Sequence, residues 1–178
     1  MWVYGDQMTE CDIIIVGGGP AGYTAALAAA HLGQKVVLCD RTVPGGTCLH
    51  RGCIPTKALV GAARRWRFAR GAAAFGLPVP QGEPDCAALM AAGRKSITIL
   101  AQGLQQQLTR AGVAILRGDA RITSQCTVFV RTDDGEAALM ATAGIILAPG
   151  SKPALLPGLE PDGERVVDSD SVWQWTRL

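Results

Sequence analysis

Charge is scarce in this chain of 178 residues: Asp, Glu, Lys and Arg make up 18% of it, and the formal net charge is +2. A nucleic-acid-binding protein usually carries clustered basic residues, and a disordered chain combines low hydrophobicity with high net charge. Hydrophobic residues account for 48% of this sequence. The composition therefore disfavours both classes and predicts a soluble globular protein.

Segments that direct a chain to a membrane are also missing from the sequence. No apolar run approaches the ~20 residues that span a bilayer. The first ten residues, MWVYGDQMTE, lack the basic region and apolar stretch of a secretory signal. We therefore expect a cytoplasmic protein with no membrane contact and no nucleic-acid partner, and we interpret residues 1–11 as an N-terminal extension.

Potential metal ligands are few and poorly spaced. The chain has two histidines, His31 and His50, and none of its six cysteines forms the C-x2-C pair typical of zinc sites. Cys48 and Cys53 are separated by four residues, whereas the other four cysteines are isolated. We predict no metal site. The pair is then either redox-active or two small buried side chains.

Residues 12–40 have the pattern of a strand, a helix and a second strand. DIIIVG (12–17) and KVVLCD (35–40) are apolar runs typical of strands buried in a parallel sheet. Between them, Pro20 and Gly33 mark the two ends of an alanine-rich helix. This is a βαβ unit of about thirty residues.

The turn between the first strand and the helix contains the pattern GxGxxG, formed by Gly17, Gly19 and Gly22. In a dinucleotide-binding turn the first glycine permits the tight turn, the second lets the backbone approach a pyrophosphate, and the third allows close helix packing. Asp40 ends the second strand, where an acidic residue accepts hydrogen bonds from a ribose and disfavours a 2′-phosphate. The pattern alone does not distinguish FAD from NAD.

The rest of the chain continues as helices and short strands. Asp85 is a good N-cap for a long amphipathic helix, and Asp134-Gly135 predicts a hairpin. The predicted elements are a helix over 53–70, a loop over 71–84, a helix over 85–111, strands within 112–142, and a buried strand over 144–150.

The cysteine pair lies in GGTCLHRGCIPTK (45–57), directly before the predicted second helix. A cysteine near a helix start meets the positive end of the helix dipole, which lowers the pKa of its thiol. The sequence therefore predicts a redox-active pair at a junction between a loop and a helix.

Three motifs, GGGPAG (17–22), GGTCLHRGCIPTK (45–57) and IILAPGSKP (145–153), together resemble the FAD-binding part of the flavin disulfide reductases, the class I pyridine nucleotide-disulfide oxidoreductases. The resemblance extends from Asp12 to Asp168 and is greatest to the dihydrolipoyl dehydrogenases. It implies an α/β fold, a Rossmann-like FAD-binding domain over 12–150 with a parallel sheet, flanking helices and a small antiparallel β-meander. Residues 151–178 would then be a connector towards an NAD-binding domain.

The resemblance implies a role for each matching residue. Cys53 would lie against the flavin as the charge-transfer thiolate, Cys48 would be the interchange thiol, and Lys57 would lie near flavin N5. Asp40 would bind the adenosine ribose, with Arg41 beside the adenine, and Gly46 and Thr47 would contact the pyrophosphate. The full set of implied FAD contacts is Gly17, Gly19, Pro20, Ala21, Gly22, Asp40, Arg41, Gly46, Thr47, Cys48, Cys53, Lys57, Ala120, Ala148, Pro149, Gly150 and Ser151.

Two residues depart from the family pattern. Pro149 stands where threonine is usual, so a backbone donor and a hydroxyl are lost there. His50 stands where asparagine is usual between the cysteines. Full-length members also continue with NAD-binding, central and dimer-interface domains, and no second GxGxxG follows in this chain.

The resemblance implies a segment of an oxidoreductase that passes electrons from dihydrolipoamide through FAD to NAD. Its partner would be a small dithiol or disulfide, or a lipoyl domain. The family is homodimeric, but through a domain not found in this sequence, so we expect the chain to be truncated and not competent alone. Two alternatives stay open: a non-catalytic FAD-binding or thiol redox-switch module, and the corresponding part of a mercuric or glutathione reductase-like enzyme.

Overall fold

The computed structural model describes residues 8–174, so residues 1–7 of the predicted extension lie outside the described residues. Strand β1 already begins at Met8. The strands are β1 Met8–Val16, β2 Val36–Asp40, β3 Ala114–Arg117, β4 Asp119–Ile122, β5 Thr127–Thr132 and β6 Gly135–Leu147. The α-helices are α1 Pro20–His31, α2 Gly46–His50, α3 Cys53–Gly71 and α4 Cys86–Arg110, with 3-10 turns at Ala72–Phe75 and Val172–Gln174.

The six strands form one sheet in the order β3-β2-β1-β6-β5-β4. β1 lies between β2 and β6 and is parallel to both, and β3 extends the parallel part beyond β2. β5 pairs antiparallel with both β4 and β6. The predicted parallel sheet with a small antiparallel meander is therefore confirmed.

The parallel strands end at the same level of the sheet. Val16 pairs with Cys39 on one side and Leu147 on the other, and Asp40 pairs with Arg117. The chain proceeds from β1 to β2 on one side, whereas β6 lies on the other. Ligands of open α/β sheets bind at the carboxyl edge where the strand order reverses in this way.

Strand β6 differs from its prediction. The sequence predicts separate strands within 112–142 and over 144–150, which include EAALMAT and GIILAPG. In the structure, residues 135–147 form one strand of 13 residues. Its first half pairs with β5 up to Met140, whereas its second half pairs with β1 alone among the described residues. Ile146 and Leu147 are consequently 38% and 61% exposed, so the expected burial of this strand is wrong.

The hairpin between β5 and β6 is confirmed, with a two-residue turn at Asp133 and Asp134. Thr132 pairs with Gly135 across the turn, and the Thr132 hydroxyl donates to the Gly135 carbonyl at 2.9 Å. Gly135 has φ of +140°, a value that side chains disfavour. The glycine therefore belongs to the strand end beside the turn.

Helix α4 begins where its pattern predicts, and Leu108 near its end packs into the core, whereas Leu100 of the same apolar pattern is 47% exposed. The Asp85 carboxylate accepts a hydrogen bond of 3.0 Å from the Ala88 N–H, as an N-cap does. Near the other end, Leu108 is fully buried in a cluster with Ile15, Ala26 and Leu38. No helix in residues 8–174 is long and apolar enough to cross a membrane.

The chain divides into two compact units. The first contains residues up to Thr47 together with Leu100–Ser151, and thus holds the whole sheet, α1 and the end of α4. The second contains Cys48–Ile99 and the chain from Lys152 onward, including α3 and the start of α4.

We expect Leu108→Ala to lower the free energy of unfolding by about 2–5 kcal/mol, because it leaves a cavity among fully buried neighbours. Urea denaturation followed by circular dichroism measures this. Leu100→Ala is the matched control, since Leu100 lies on the same helix and is 47% exposed. Equal losses in the two variants would contradict the packing described for α4.

Candidate functional site

The glycine turn after β1 is held by backbone contacts on both sides. The Gly17 N–H donates to the Cys39 carbonyl at 2.8 Å, and the Ala148 N–H donates to the Val16 carbonyl at 2.8 Å. Gly17 has φ of +104°, and a Cβ there would overlap the Ala148 carbonyl. The first glycine of the motif is thus required both by its backbone conformation and by the close approach of the chain after β6.

Gly22 allows the start of α1 to lie against this turn. A Cβ on Gly22 would overlap the Gly17 carbonyl oxygen and would lie 3.4 Å from the Ile15 side chain. The predicted packing role of the third glycine is therefore confirmed by contacts within the protein.

Gly19 differs from the other two motif glycines because protein atoms leave room beside it. The nearest atom to a Cβ on Gly19 is the Gly46 Cα at 3.8 Å, an ordinary van der Waals contact. By contrast, a Cβ on Gly46 would lie 2.6 Å from the Gly19 Cα, and Gly46 has φ of +60°. Gly46 is therefore explained by packing on the turn, whereas the space at Gly19 suits a bound group.

The N-terminus of α1 is open to an anion. Pro20 opens the helix, Gly19 is its N-cap, and no side chain caps it. The first turn, which includes Ala21, contains no acidic residue. The unsatisfied N–H groups and the positive end of the helix dipole therefore remain available to a pyrophosphate.

The Asp40 carboxylate lies at the end of β2, beside the glycine turn. One of its oxygens accepts a hydrogen bond from the Gly18 N–H at 2.5 Å, and the other accepts from the N–H and the hydroxyl of Thr42 at 2.7 and 3.0 Å. A carboxylate has about four acceptor positions, so three are used within the protein. The remaining capacity suits one ribose hydroxyl.

Arg41 is held by the Asp119 carboxylate. Its guanidinium donates to the Asp119 carboxylate from both Nε and Nη2 at 2.7 Å, and Asp119 also pairs with Arg131 at 3.5 Å. Ala120, the next residue, lies in β4 opposite Val130. The structure thus brings Arg41 and Ala120 together through Asp119, a residue that the sequence reasoning did not select.

The segment after β6 contributes to the same edge through its backbone. Ala148 and the Pro149 Cα lie against Gly17, and Gly150 has φ of +74°. Pro149, Gly150 and Ser151 are exposed. Pro149 has no N–H to donate, so the N–H groups that this exposed stretch could offer to a ligand belong to Gly150 and Ser151.

Cys48 and Cys53 lie in hydrogen-bonding contact within the second unit, and both are free thiols. Cys48 belongs to α2, and Cys53 is the first residue of α3. The Cys48 and Cys53 thiols share a hydrogen bond, and the Cys53 N–H donates to the Cys48 sulfur. Lys57, one turn further along α3, is near enough for its charge to favour the Cys48 thiolate.

The expected lowering of the thiol pKa is wrong for Cys48. Its hydrogen bond to the Cys53 thiol is the main cause that raises the pKa of Cys48, followed by desolvation and the charge of Cys53. The Cys53 N–H and the Lys57 charge lower it, but they do not outweigh the first three. Contact between the two sulfurs, which spacing alone did not reveal, is therefore the main cause that opposes the predicted lowering of the Cys48 pKa.

Residues 11–177 match the pyridine nucleotide-disulphide oxidoreductase family. The chain belongs to this family. The resemblance drawn from the three motifs is thus confirmed, and the family consists of FAD-dependent flavoprotein oxidoreductases.

Curated relatives in the pyridine nucleotide-disulphide oxidoreductase family include many dihydrolipoyl dehydrogenases. The chain is 39% identical to that of Chlorobaculum parvum over 90% of this chain and 34% of the relative. It is 35% identical to one from Bacillus subtilis over 96% of this chain and 38% of the relative. The chain therefore spans about a third of the length of the curated relatives it matches.

Solved structures of the family have the same fold. LpdA from Mycobacterium tuberculosis matches 96% of this chain with a TM-score of 0.84 and 26% identity, over 38% of its own length. The copper(II) complex of the flavoprotein disulfide reductase RclA from Escherichia coli matches with a TM-score of 0.78 at 23% identity, over 36% of its length. The second likeness supports the fold alone.

Gly22→Ala should destabilise the chain by more than about 2 kcal/mol, since an added methyl overlaps backbone that cannot move independently. Gly19→Ala should cost at most about 1 kcal/mol, because alanine is only a poorer N-cap than glycine. Urea denaturation of both variants measures the difference. A larger loss in Gly19→Ala than in Gly22→Ala would contradict the close approach described for the turn.

Cys53→Ala should move the alkylation of Cys48 by iodoacetamide to lower pH. In the parent chain the raised pKa of Cys48 delays thiolate formation as pH rises, and the variant loses the hydrogen bond and the charge that raise it. Rates are measured between pH 6 and about 10 by mass spectrometry of the Cys48 peptide. A Cys126→Ser background removes the other exposed thiol outside the pair; an unchanged pH profile would contradict the contact.

Proposed function

We propose that this chain is the FAD-binding, redox-dithiol part of an oxidoreductase of the dihydrolipoyl dehydrogenase type. The observation that carries the proposal is the open N-terminus of α1 at the carboxyl edge of the sheet, where space beside Gly19 faces no protein atom closer than 3.8 Å. Asp40 stands at the same edge with acceptor capacity to spare. These features fit a dinucleotide with a free ribose.

The residues that would hold FAD have separate tasks. The N–H groups at the start of α1 would bind the pyrophosphate, and Asp40 would bind the ribose. Arg41, fixed by Asp119, would lie over the adenine with the Ala120 backbone beside it. When bound, the flavin would supply a two-electron acceptor for the dithiol.

The cysteine pair would exchange electrons with a substrate dithiol. A substrate thiolate attacks Cys48 in the oxidised pair, so a mixed disulfide forms and Cys53 leaves as a thiolate. The second substrate thiolate then displaces Cys48, which takes up a proton, and the substrate leaves as a disulfide. The raised pKa of Cys48 fits this assignment, because its hydrogen bond with Cys53 lets Cys48 keep a proton to higher pH than an ordinary cysteine does.

By resemblance, dihydrolipoamide or a lipoyl domain would be the substrate, and NAD the final electron acceptor. Since the chain spans about a third of its relatives, the NAD step and the dimer of the family would require residues beyond those matched here. The second candidate is a module that binds FAD or switches between thiol and disulfide without turnover. The exposed position of Cys53 is compatible with both the oxidoreductase part and the non-catalytic module. FAD binding and reduction by dihydrolipoamide distinguish the two candidates.

FAD added to the purified 178-residue chain should bind and change its absorption spectrum, because the α1 terminus offers an uncapped anion site. Gly19→Ala should weaken binding at least about tenfold, equivalent to about 1.4 kcal/mol, by filling the space next to the pyrophosphate. Isothermal titration measures both. Gly103→Ala is the matched control, since Gly103 is exposed on α4 with no atom within 4 Å of an added Cβ.

Dihydrolipoamide should reduce an oxidised Cys48–Cys53 pair in this chain, yet no NADH should accumulate when NAD is added. Thiol counting by mass spectrometry follows the first reaction, and absorbance follows the second. No FAD binding together with normal reduction by dihydrolipoamide would favour the thiol-switch candidate. Loss of both would contradict the proposed function.

A further inference from the structure

A short segment near the end of the described chain contacts the turn between the two cysteines. This tail strap, Asp168–Gln174, belongs to the same compact unit as the cysteine pair. The Asp170 carboxylate pairs with the Arg51 guanidinium at 2.6 Å. The Trp173 indole N–H donates to the Arg51 backbone carbonyl at 2.7 Å. Two contacts of different chemistry therefore converge on one residue.

Hydrogen bonds within the tail strap fix its conformation, so Asp170 and Trp173 are held close to each other. The Asp168 carboxylate accepts from the Ser171 hydroxyl at 2.8 Å, the Ser171 N–H at 2.7 Å and the Asp170 N–H at 3.0 Å. The hydrogen bonds from Ser171 lower the pKa of Asp168, so these contacts hold its ionised form. A 3-10 turn, Val172–Gln174, follows directly.

Arg51 occupies the turn that sets the separation of the two sulfurs. Helix α2 ends at His50 and α3 begins at Cys53, so Arg51 and Gly52 are the only residues between them. A disulfide requires a sulfur–sulfur distance of about 2.05 Å and a torsion near 90°. Because Arg51 and Gly52 join the two helices, any movement of α2 relative to α3 that accompanies disulfide formation must involve this turn.

We propose that Asp170 and Trp173 are positioning residues that hold the turn at Arg51 in the conformation of the dithiol and thereby raise the reduction potential of the Cys48–Cys53 pair. The inference rests on the proposed function, because it requires these cysteines to be the redox pair. The free-thiol structure carries both contacts. A contact that stabilises the reduced form makes a pair more oxidising.

The solvent exposure of the two contacts with Arg51 determines how strongly they affect the thiol–disulfide equilibrium. The Arg51 and Asp170 side chains are 49% and 29% exposed, so their ion pair is partly screened by solvent. The second Asp170 oxygen is buried without a partner among the described residues. The Trp173 bond is a neutral hydrogen bond to backbone and involves no charge. We therefore expect each contact to shift the thiol–disulfide equilibrium modestly.

Equilibration of the whole chain with reduced and oxidised dithiothreitol tests the proposal. Oxidation of the pair releases two electrons and two protons to the cyclic disulfide of dithiothreitol, which becomes the dithiol. Asp170→Asn and Trp173→Phe should each favour the protein disulfide by about threefold to tenfold, the latter corresponding to about 30 mV. Acid quenching, alkylation and mass spectrometry measure the fraction oxidised, in a Cys126→Ser background.

Three controls separate positioning from other effects. Glu164→Gln removes one negative charge from an exposed side chain four residues before the tail strap and should change the equilibrium less than twofold. Trp173→Phe removes no charge, so a parallel shift in it excludes a purely electrostatic cause. In an Arg51→Met background, Asp170→Asn should add less than twofold, because the partner is already lost.

The outcomes distinguish the two proposals. If the parent chain forms the Cys48–Cys53 disulfide but Asp170→Asn and Trp173→Phe stay within twofold of it, or shift towards the dithiol, the strap has no positioning role. If the parent chain forms no such disulfide at any dithiothreitol ratio, the redox pair of the proposed function fails, and the strap's role fails with it. Circular dichroism confirms that each variant is folded.

Discussion

The close approach of backbone at Gly17 is the constraint on which the first unit depends. The Gly17 carbonyl occupies the place where Gly22 would carry a side chain, and the chain after β6 lies against the other side of Gly17. Because neither glycine has a Cβ, α1 can begin directly at the end of β1. The positive end of α1 therefore lies at the carboxyl edge of the sheet, where Asp40 also stands.

The polar groups at the carboxyl edge of the sheet are held in place mainly by hydrogen bonds and ion pairs within the protein. Asp40 fixes the turn through Gly18 and its own loop through Thr42, while Asp119 holds Arg41. Such contacts reduce the number of conformations that a ligand must select, which lowers the entropic cost of binding. The site in the second unit is organised in the same way, since the Cys48 thiol takes its properties from Cys53 and the turn at Arg51 is held from Asp170 and Trp173.

Elements with strong local signals were predictable from the sequence. The β1–α1–β2 unit, the N-cap at Asp85 and the hairpin next to Gly135 all follow from residues that are close in the chain. The course of β6 was not predictable, because its length depends on pairing with β1, which lies more than a hundred residues earlier. The pKa of Cys48 was mispredicted for a related reason: the helix dipole is a local feature, but contact with the other sulfur opposes it.

The sequence by itself determined the family, the glycine turn and the identity of the two thiols, because each of these depends on a few residue types at short, fixed spacing. Only the tertiary structure decided which glycines are required by protein contacts and which partners hold Asp40 and Arg41. It also decided that Asp170, far along the chain, pairs with Arg51. These contacts join residues up to 131 positions apart. Such pairs have no local pattern, since their approach is set by how strands and turns pack in three dimensions.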